Sequence, residues 1–399
     1  MKHIISAAWV APICSAPFRD GAVASEAGRI VAVGPLKEIR RAFPDALLTD
    51  AGNAVLLPGL INAHTHLELS DHVCDESHGG NFAGWLARRR APRTQESITN
   101  AIEIAVAQCR RFGVVAVGDI TKFPHLTRSL LSNSPLHVVS FGEVVALGKK
   151  RPGFQDSLDR AVDTTHATAR VWVGISPHAP YTVEAEGYAR CLEVARAAGL
   201  ALSTHLAESA DEAVFLSDHA GPLRELWDRI ELWGAPSHRH HGGPIRFAQQ
   251  LGLLDYPTVL AHVNYVDDDE LAILAGGRAS VVYCPRTHAY FGHPPHRFRD
   301  MLKRGINVAV GTDSCASSPD LNIVDDLRHI RRLAPEMTAG AIWELATLRA
   351  ARALGLEHEL GTLAPGKLAE ILAFPLAIGR DPLGEVLDRA SEPAILRGS

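Results

Sequence analysis

The chain has 399 residues, 46% of them hydrophobic, enough to bury a large core. A net charge of -5 and a pI near 6.5 leave no basic footprint for nucleic acid, and no apolar run reaches the length of a membrane span. The six cysteines are scattered without a C-x-x-C pair and read as reduced thiols of a cytoplasmic protein; the start, Met1-Lys2-His3, leads into a short alternating segment rather than a secretory block.

Residues 1–57 read as short strands. Ile4–Val10 and Gly28–Gly34 are β-rich and flanked by Gly, Pro and Asp. This segment is too short to fold alone, so it is expected to pair with the C-terminal residues 360–399, with Trp9, Ile30 and Val33 packing in the shared β domain. The apolar run Ala54–Ile61 then leads into Asn62-Ala63-His64-Thr65-His66-Leu67-Glu68. Strand side chains alternate faces, so His64 and His66 point the same way and offer two imidazoles to one cation.

Beyond it, β-like runs alternate with helical patterns. Strands are expected at Val114–Asp119, Leu136–Glu143, Arg170–Ser176, Leu200–His205, Thr258–Val263, Ala279–Cys284 and Ile306–Asp313, making eight with the first. Helical stretches such as Ser97–Phe112, Val183–Ala198, Asp268–Ala275 and Pro295–Arg304 separate them. Strand–helix alternation argues for a parallel sheet, and eight such units predict an α/β fold, the (β/α)8 TIM barrel, over residues 58–359. The region 208–256 is too long for one crossover and should hold extra helices and a loop over 236–243. Residues 338–355 read as a late helix, and 360–374 as a Pro-Gly turn followed by a strand.

Barrel enzymes carry their chemistry at the C-terminal ends of the strands. Here those ends hold His64 and His66, His178, His205 with Glu208 just after it, His262, and Asp313. Any one of 20 histidines is by itself an ordinary core or surface imidazole; their joint placement at strand ends points to a metal-assisted hydrolase. Neutral imidazoles with a carboxylate suit Zn²⁺, which brings the pKa of water to about 7. Glu208 is placed to shuttle a proton, and the bland alternative is a helix-capping glutamate. His262 can hydrogen-bond the developing oxyanion, and Asp313 can both ligate and accept a proton.

These pieces, Pro58–His66, Ser176–Tyr181, His205–Glu208, Leu260–His262, Cys284-Pro285 and Gly311–Asp313, resemble the amidohydrolase superfamily in its cytosine-, guanine- and adenosine-type deaminase branch. Gly361–Lys367 is similar to the family's ending, so the resemblance spans nearly the whole chain. It implies a barrel with a small β-sandwich made by both termini. It implies His64, His66, His205 and Asp313 as ligands of one divalent ion, Zn²⁺ or Fe²⁺, with Glu208 as acid and base and His262 beside the water. It also implies a small-molecule substrate and is compatible with a homo-oligomer. The stretch His64–Ser70 is similar to the aminodeoxyfutalosine deaminases of menaquinone synthesis, which makes an aminopurine nucleoside the expected substrate; a chlorohydrolase or amide hydrolase, or a scaffold without activity, are the alternatives. Candidate substrate contacts are His178, Glu68, Trp85, Glu143 and Arg286.

Two departures matter. Relatives with two metals carry a bridging carboxylated lysine near the fourth strand, and Val171–Ser176 has none, so one ion is expected. Adenosine-type relatives place a ribose-gripping acid shortly after a Trp-Leu pair; Trp85-Leu86 is followed by Ala91-Pro92-Arg93-Thr94, so Glu68 or Glu143 must supply that carboxylate. After Cys284-Pro285, Arg286 and His288 either face substrate or belong to a loop packed on itself. His238, His240 and His241 read as a solvated loop, and His293 and His296, beside prolines near an Arg-rich helix start, as surface or lid residues.

Overall fold

The structure, a computed structural model, describes residues 2–75, 81–88, 92–234, 238–377 and 379–397. Seven strands form a mixed sheet: β1 (Lys2–Val10), β2 (Phe18–Glu26), β3 (Arg29–Pro35), β4 (Leu47–Asp50), β5 (Ala54–Pro58), β14 (Glu370–Pro375) and β15 (Ala394–Arg397), in the order β15-β14-β5-β1-β2-β3 with β4 also on β1. The first half of β1 pairs with β4, while Trp9 and Val10 pair with Val55 and Leu56 of β5. On its other side β5 takes β14 antiparallel, Leu57 opposite Leu372. The two ends of the chain thus complete one sheet that neither has enough apolar face to stabilise alone. Ile5, Val23, Ile30 and Leu56 pack with Leu363 and Ile371, and Val33 leans on this cluster. Trp9 joins through its indole N–H, which donates to the Gly379 carbonyl at 3.0 Å.

The other sheet has eight strands in chain order: β6 (Leu60–Thr65), β7 (Val114–Thr121), β8 (His137–Val144), β9 (Val171–Pro177), β10 (Ala201–Leu206), β11 (Thr258–His262), β12 (Ser280–Tyr283) and β13 (Asn307–Val310). A parallel bridge between Thr65 and Asp313 brings the end of β6 to the residues just past β13. Helices fill the connections, and most strand residues are buried, as in parallel sheets covered on both faces. This is the (β/α)8 barrel. Compactness divides the chain into Met1–Ala63, Ala107–Ala116 and Asn322–Ser399 on one side, and His64–Val106 with Val117–Leu321 on the other. We propose domain boundaries that follow strand membership instead: 1–57 with 360–399, and 58–359.

The apolar run before His64 is two strands rather than one. β5 belongs to the mixed sheet and β6 to the barrel, with Gly59 between them. A side chain at Gly59 would come within 2.3 Å of Val115, so only glycine passes there. The region 208–256 holds the helices Ala210–Asp218, Gly221–Arg229 and Gly243–Gln250; of the expected loop, Pro236 and Ser237 lie outside the described residues. The segment after Cys284 is a short helix, Pro285–Phe291, not a loop, with proline at a first-turn position where its missing N–H costs nothing.

Gly311 sets the distance between the two barrel ends that carry His64 and Asp313. A Cβ there would meet the His64 carbonyl oxygen at 2.6 Å and the His64 Cβ at 2.9 Å. Gly311→Ala is therefore expected to destabilise the protein by about 1–3 kcal/mol through overpacking. Chemical denaturation measures this, and an unchanged midpoint would show that the gap closes elsewhere.

Candidate metal centre and active site

His64, at the end of β6, is fully buried, and both its ring nitrogens lack a hydrogen-bond partner among the described residues. Such nitrogens are costly unless something polar meets them. Its surroundings supply that meeting point. His66 Nε2 lies 3.3 Å from His205 Nε2 and 3.5 Å from Asp313 Oδ1, and His64 Nε2 lies 3.8 Å from the same oxygen. Two overlapping donor groups, His64–His205–His262 and His64–His66–Asp313, each keep their ligand atoms within 4.8 Å of one another. Burial, reinforced by neighbouring imidazoles, holds His64, His66 and His262 well below the ordinary histidine range; burial lowers His205 too. Neutral imidazoles beside a carboxylate are the donor set a divalent ion requires, so the residues fit the metal.

The turns that aim these groups are fixed by further hydrogen bonds. His205 donates its Nδ1 proton to the His178 carbonyl at 2.9 Å, which leaves Nε2 toward the cluster. Asp119, buried on β7, accepts the Leu67 N–H at 2.9 Å and so holds the turn after His66. Asp313 takes the left-handed conformation, φ 57°. Its N–H donates to the His64 carbonyl at 3.1 Å, and Ser317 Oγ donates to its Oδ2 at 2.9 Å.

Glu208 follows β10. Its carboxylate accepts from Tyr181 Oη at 2.8 Å through Oε2, while Oε1 lies 3.4 Å from His262 Nε2. Its backbone is clamped: the Ala207 and Glu208 N–H groups donate to Glu212, and Asn264 Nδ2 donates to the Glu208 carbonyl at 2.9 Å. The capping acid of this segment is thus Glu212, whose carboxyl burial pushes up to about 8. Burial, then the negative charge of Asp313, raises the Glu208 carboxyl well above its ordinary value.

A cavity opens over this cluster, lined by His66, Glu68, Trp85, Lys122, Glu143, His178, Tyr181, His205, Glu208 and Asp313, among others. Phe82 and Trp85 form an aromatic wall, with Phe291 packed edge-on against Trp85 at 5.3 Å between centroids. Opposite in character are the acids. Glu68 accepts Thr121 Oγ1 at 2.6 Å, and burial raises its carboxyl to about 6. Glu143 lies 3.5 Å from Lys122 Nζ. His178 shares a 2.7 Å hydrogen bond between Nδ1 and Thr182 Oγ1, whose own proton goes to Ala179.

The candidates named from sequence thus converge, with one exception. Arg286 is not among the cavity-lining residues, and its guanidinium binds Asp320 Oδ1 at 2.7 Å and the Asp320 carbonyl at 2.9 Å. Tyr181, Glu212, Asn264, Ser317, Asp119 and Lys122 were not singled out from sequence. Tyr181 stood within the Ser176–Tyr181 motif; Glu212 and Ser317 act through turns four or five residues away, and Asn264, Asp119 and Lys122 through partners distant in the chain.

A family model described as "Amidohydrolase family" matches residues 55–394, and one described as "Imidazolonepropionase-like composite domain, bacteria" matches residues 21–46. A protein named 5-methylthioadenosine/S-adenosylhomocysteine deaminase, from Moorella thermoacetica, is 29% identical over 393 residues, covering 93% of this chain and 85% of the relative. The solved aminofutalosine deaminase of Helicobacter pylori in complex with methylthio-coformycin superposes with a TM-score of 0.84 at 23% identity, over 99% of this chain and 98% of that one. A zinc-bound adenosine deaminase from Xanthomonas campestris gives a TM-score of 0.79 at 23% identity, over 98% and 91%. At these identities the two structures speak for the fold alone.

Proposed function

We propose that this chain, which belongs to the amidohydrolase family, is a metal-dependent deaminase that replaces the amino group of a purine-like nucleoside with oxygen from water and releases ammonia. The observation that carries the reading is one buried carboxyl, Glu208, facing both the histidine cluster and an aromatic-walled cavity. The names of the relatives, deaminases of adenine nucleosides, support the same substrate class. We assign one ion, Zn²⁺ or Fe²⁺, to His64, His66, His205 and Asp313. Bound there, it supplies a Lewis acid that lets water lose a proton near neutral pH.

The rest of the chemistry belongs to the chain. Glu208 receives that proton on Oε1, since Tyr181 holds Oε2, and gives it to the ring nitrogen beside the attacked carbon, where it stays in the product; the water's second proton, released as the new carbonyl forms, passes by way of Asp313 to the amine, which leaves as ammonia when its C–N bond breaks. His262, neutral by burial, steadies the developing charge from its place 3.4 Å from Glu208. Asp313 serves as ligand and second proton acceptor. Trp85 and its aromatic neighbours offer a flat face to the ring. His178, its Nδ1 occupied by Thr182, presents Nε2 to the ring edge as an acceptor. Glu68 and Glu143 take the ribose hydroxyls. We assign Arg286 to bracing its own segment through Asp320. No helix among the described residues is long and apolar enough to cross a membrane. The cysteines are free, which supports a cytoplasmic location.

A panel of adenosine, 5′-methylthioadenosine, S-adenosylhomocysteine, aminodeoxyfutalosine, guanine and a chlorotriazine, incubated with zinc-loaded protein, tests the reading. Ammonia from one or more of the adenine nucleosides is expected. Chloride from the triazine, with no ammonia from any aminopurine, would overturn it.

A further inference from the structure

Non-glycine residues seldom take positive φ, and a β-branched residue there is a genuine outlier. At the end of β11 two take it in succession: His262 at 73° and Val263 at 51°. Such geometry persists only where the surroundings over-determine it. The Val263 N–H donates to the Leu206 carbonyl at 3.0 Å. The His262 carbonyl accepts from His296 Nε2 at 2.9 Å.

His296 is not the surface residue that its flanking prolines and arginine indicate. It is 6% exposed, and its ring stacks on Tyr283 with centroids 4.0 Å apart and planes 19° apart. Burial lowers its pKa to about 3, so the ring is neutral. A carbonyl can only accept, so the one ring proton sits on Nε2 and points at His262. Nδ1 is buried with no hydrogen-bond partner among the described residues. The imidazole thus supplies a flat body for Tyr283 and one directed N–H.

We propose that His296 is a positioning residue: by holding the His262 carbonyl it fixes the left-handed turn that presents the His262 imidazole to Glu208 and to the histidine cluster. Turning φ back to negative values rotates the Cα–Cβ bond and carries the ring away from Glu208. The role assigned to His262 rests on the deaminase reading; the backbone claim does not.

Two variants separate these claims. His296→Phe keeps a ring against Tyr283 and removes the donor; His296→Gln returns an N–H near the position of Nε2. In a crystal structure of His296→Phe, His262 is expected to leave the left-handed region and its ring to move from Glu208, whereas His296→Gln retains both. This readout needs no turnover, so it decides the proposal even if the substrate panel fails. With a substrate in hand, His296→Phe should lower kcat by about 10-fold or more with little change in KM. In a His262→Ala background the same change should cost less than about twofold, because a residue that acts only through His262 has nothing left to position. An unmoved His262 in the Phe variant, or an undiminished loss in the His262→Ala background, would overturn the proposal. If the Phe variant does not fold, the Gln variant decides: a displaced His262 despite the restored donor overturns it, and a retained one with near-parental kcat upholds it.

Discussion

Glu208→Gln is expected to keep its full metal content and lose roughly 10²-fold or more in kcat. An amidine-like ring needs a proton on the nitrogen beside the attacked carbon and another on the leaving amine. Glutamine matches glutamate in shape but cannot carry that proton. Its amide oxygen can still accept from Tyr181, and the backbone clamp by Glu212 and Asn264 does not involve the side chain, so the fold should tolerate the change. A helix-cap role predicts otherwise, since loss of one exposed cap charge costs only about 0.3–1 kcal/mol and leaves turnover intact. The carboxylate is bonded to Tyr181 rather than to first-turn N–H groups, which favours the shuttle. Near-normal kcat in a metal-replete Glu208→Gln protein would refute it.

Chelation should abolish turnover, and one equivalent of Zn²⁺ or Fe²⁺ per chain should restore it. The two donor groups found among the described residues share His64, as expected if they surround one ion. β9, whose counterpart carries a bridging lysine in relatives with two metals, has no lysine. Binding should also raise the melting temperature, because an ion that prefers the folded state adds about 4 kcal/mol at a thousandfold excess over its Kd. Elemental analysis of protein purified without added metal tests the count. Two equivalents, or full activity in metal-free protein, would contradict the assignment.

The parts of the site that sequence reveals are those set by local periodicity. His64 and His66 share a face because they are two apart on a strand, and His205, His262 and Asp313 stand where apolar runs end. The groups that support Asp313, the turn after His66 and Glu208 were hidden from the sequence. Asp119 reaches Leu67 and Asn264 reaches Glu208 only once distant segments meet, and Ser317, though four residues from Asp313, reaches it only through a turn that no strand or helix period describes. His296 was misread because proline and arginine neighbours mark a loop but do not say which side chain turns inward. Arg286 read equally as a substrate contact or a self-packed residue, and its partner, Asp320, lies on a segment that the sequence does not connect to it. The division of the first apolar run at Gly59 depends on Val115, again a tertiary neighbour.

The central claim is that water attacks a carbon bearing an amino group. Turnover by the zinc-loaded protein in H₂¹⁸O, with the nucleoside that releases ammonia, tests it most directly by mass spectrometry of the product. The account predicts one ¹⁸O as the exocyclic carbonyl oxygen on the carbon that lost its amino group, one ammonia released per product and an intact ribose. Ammonia without ¹⁸O on that carbon, or ¹⁸O appearing at any other position, would contradict it.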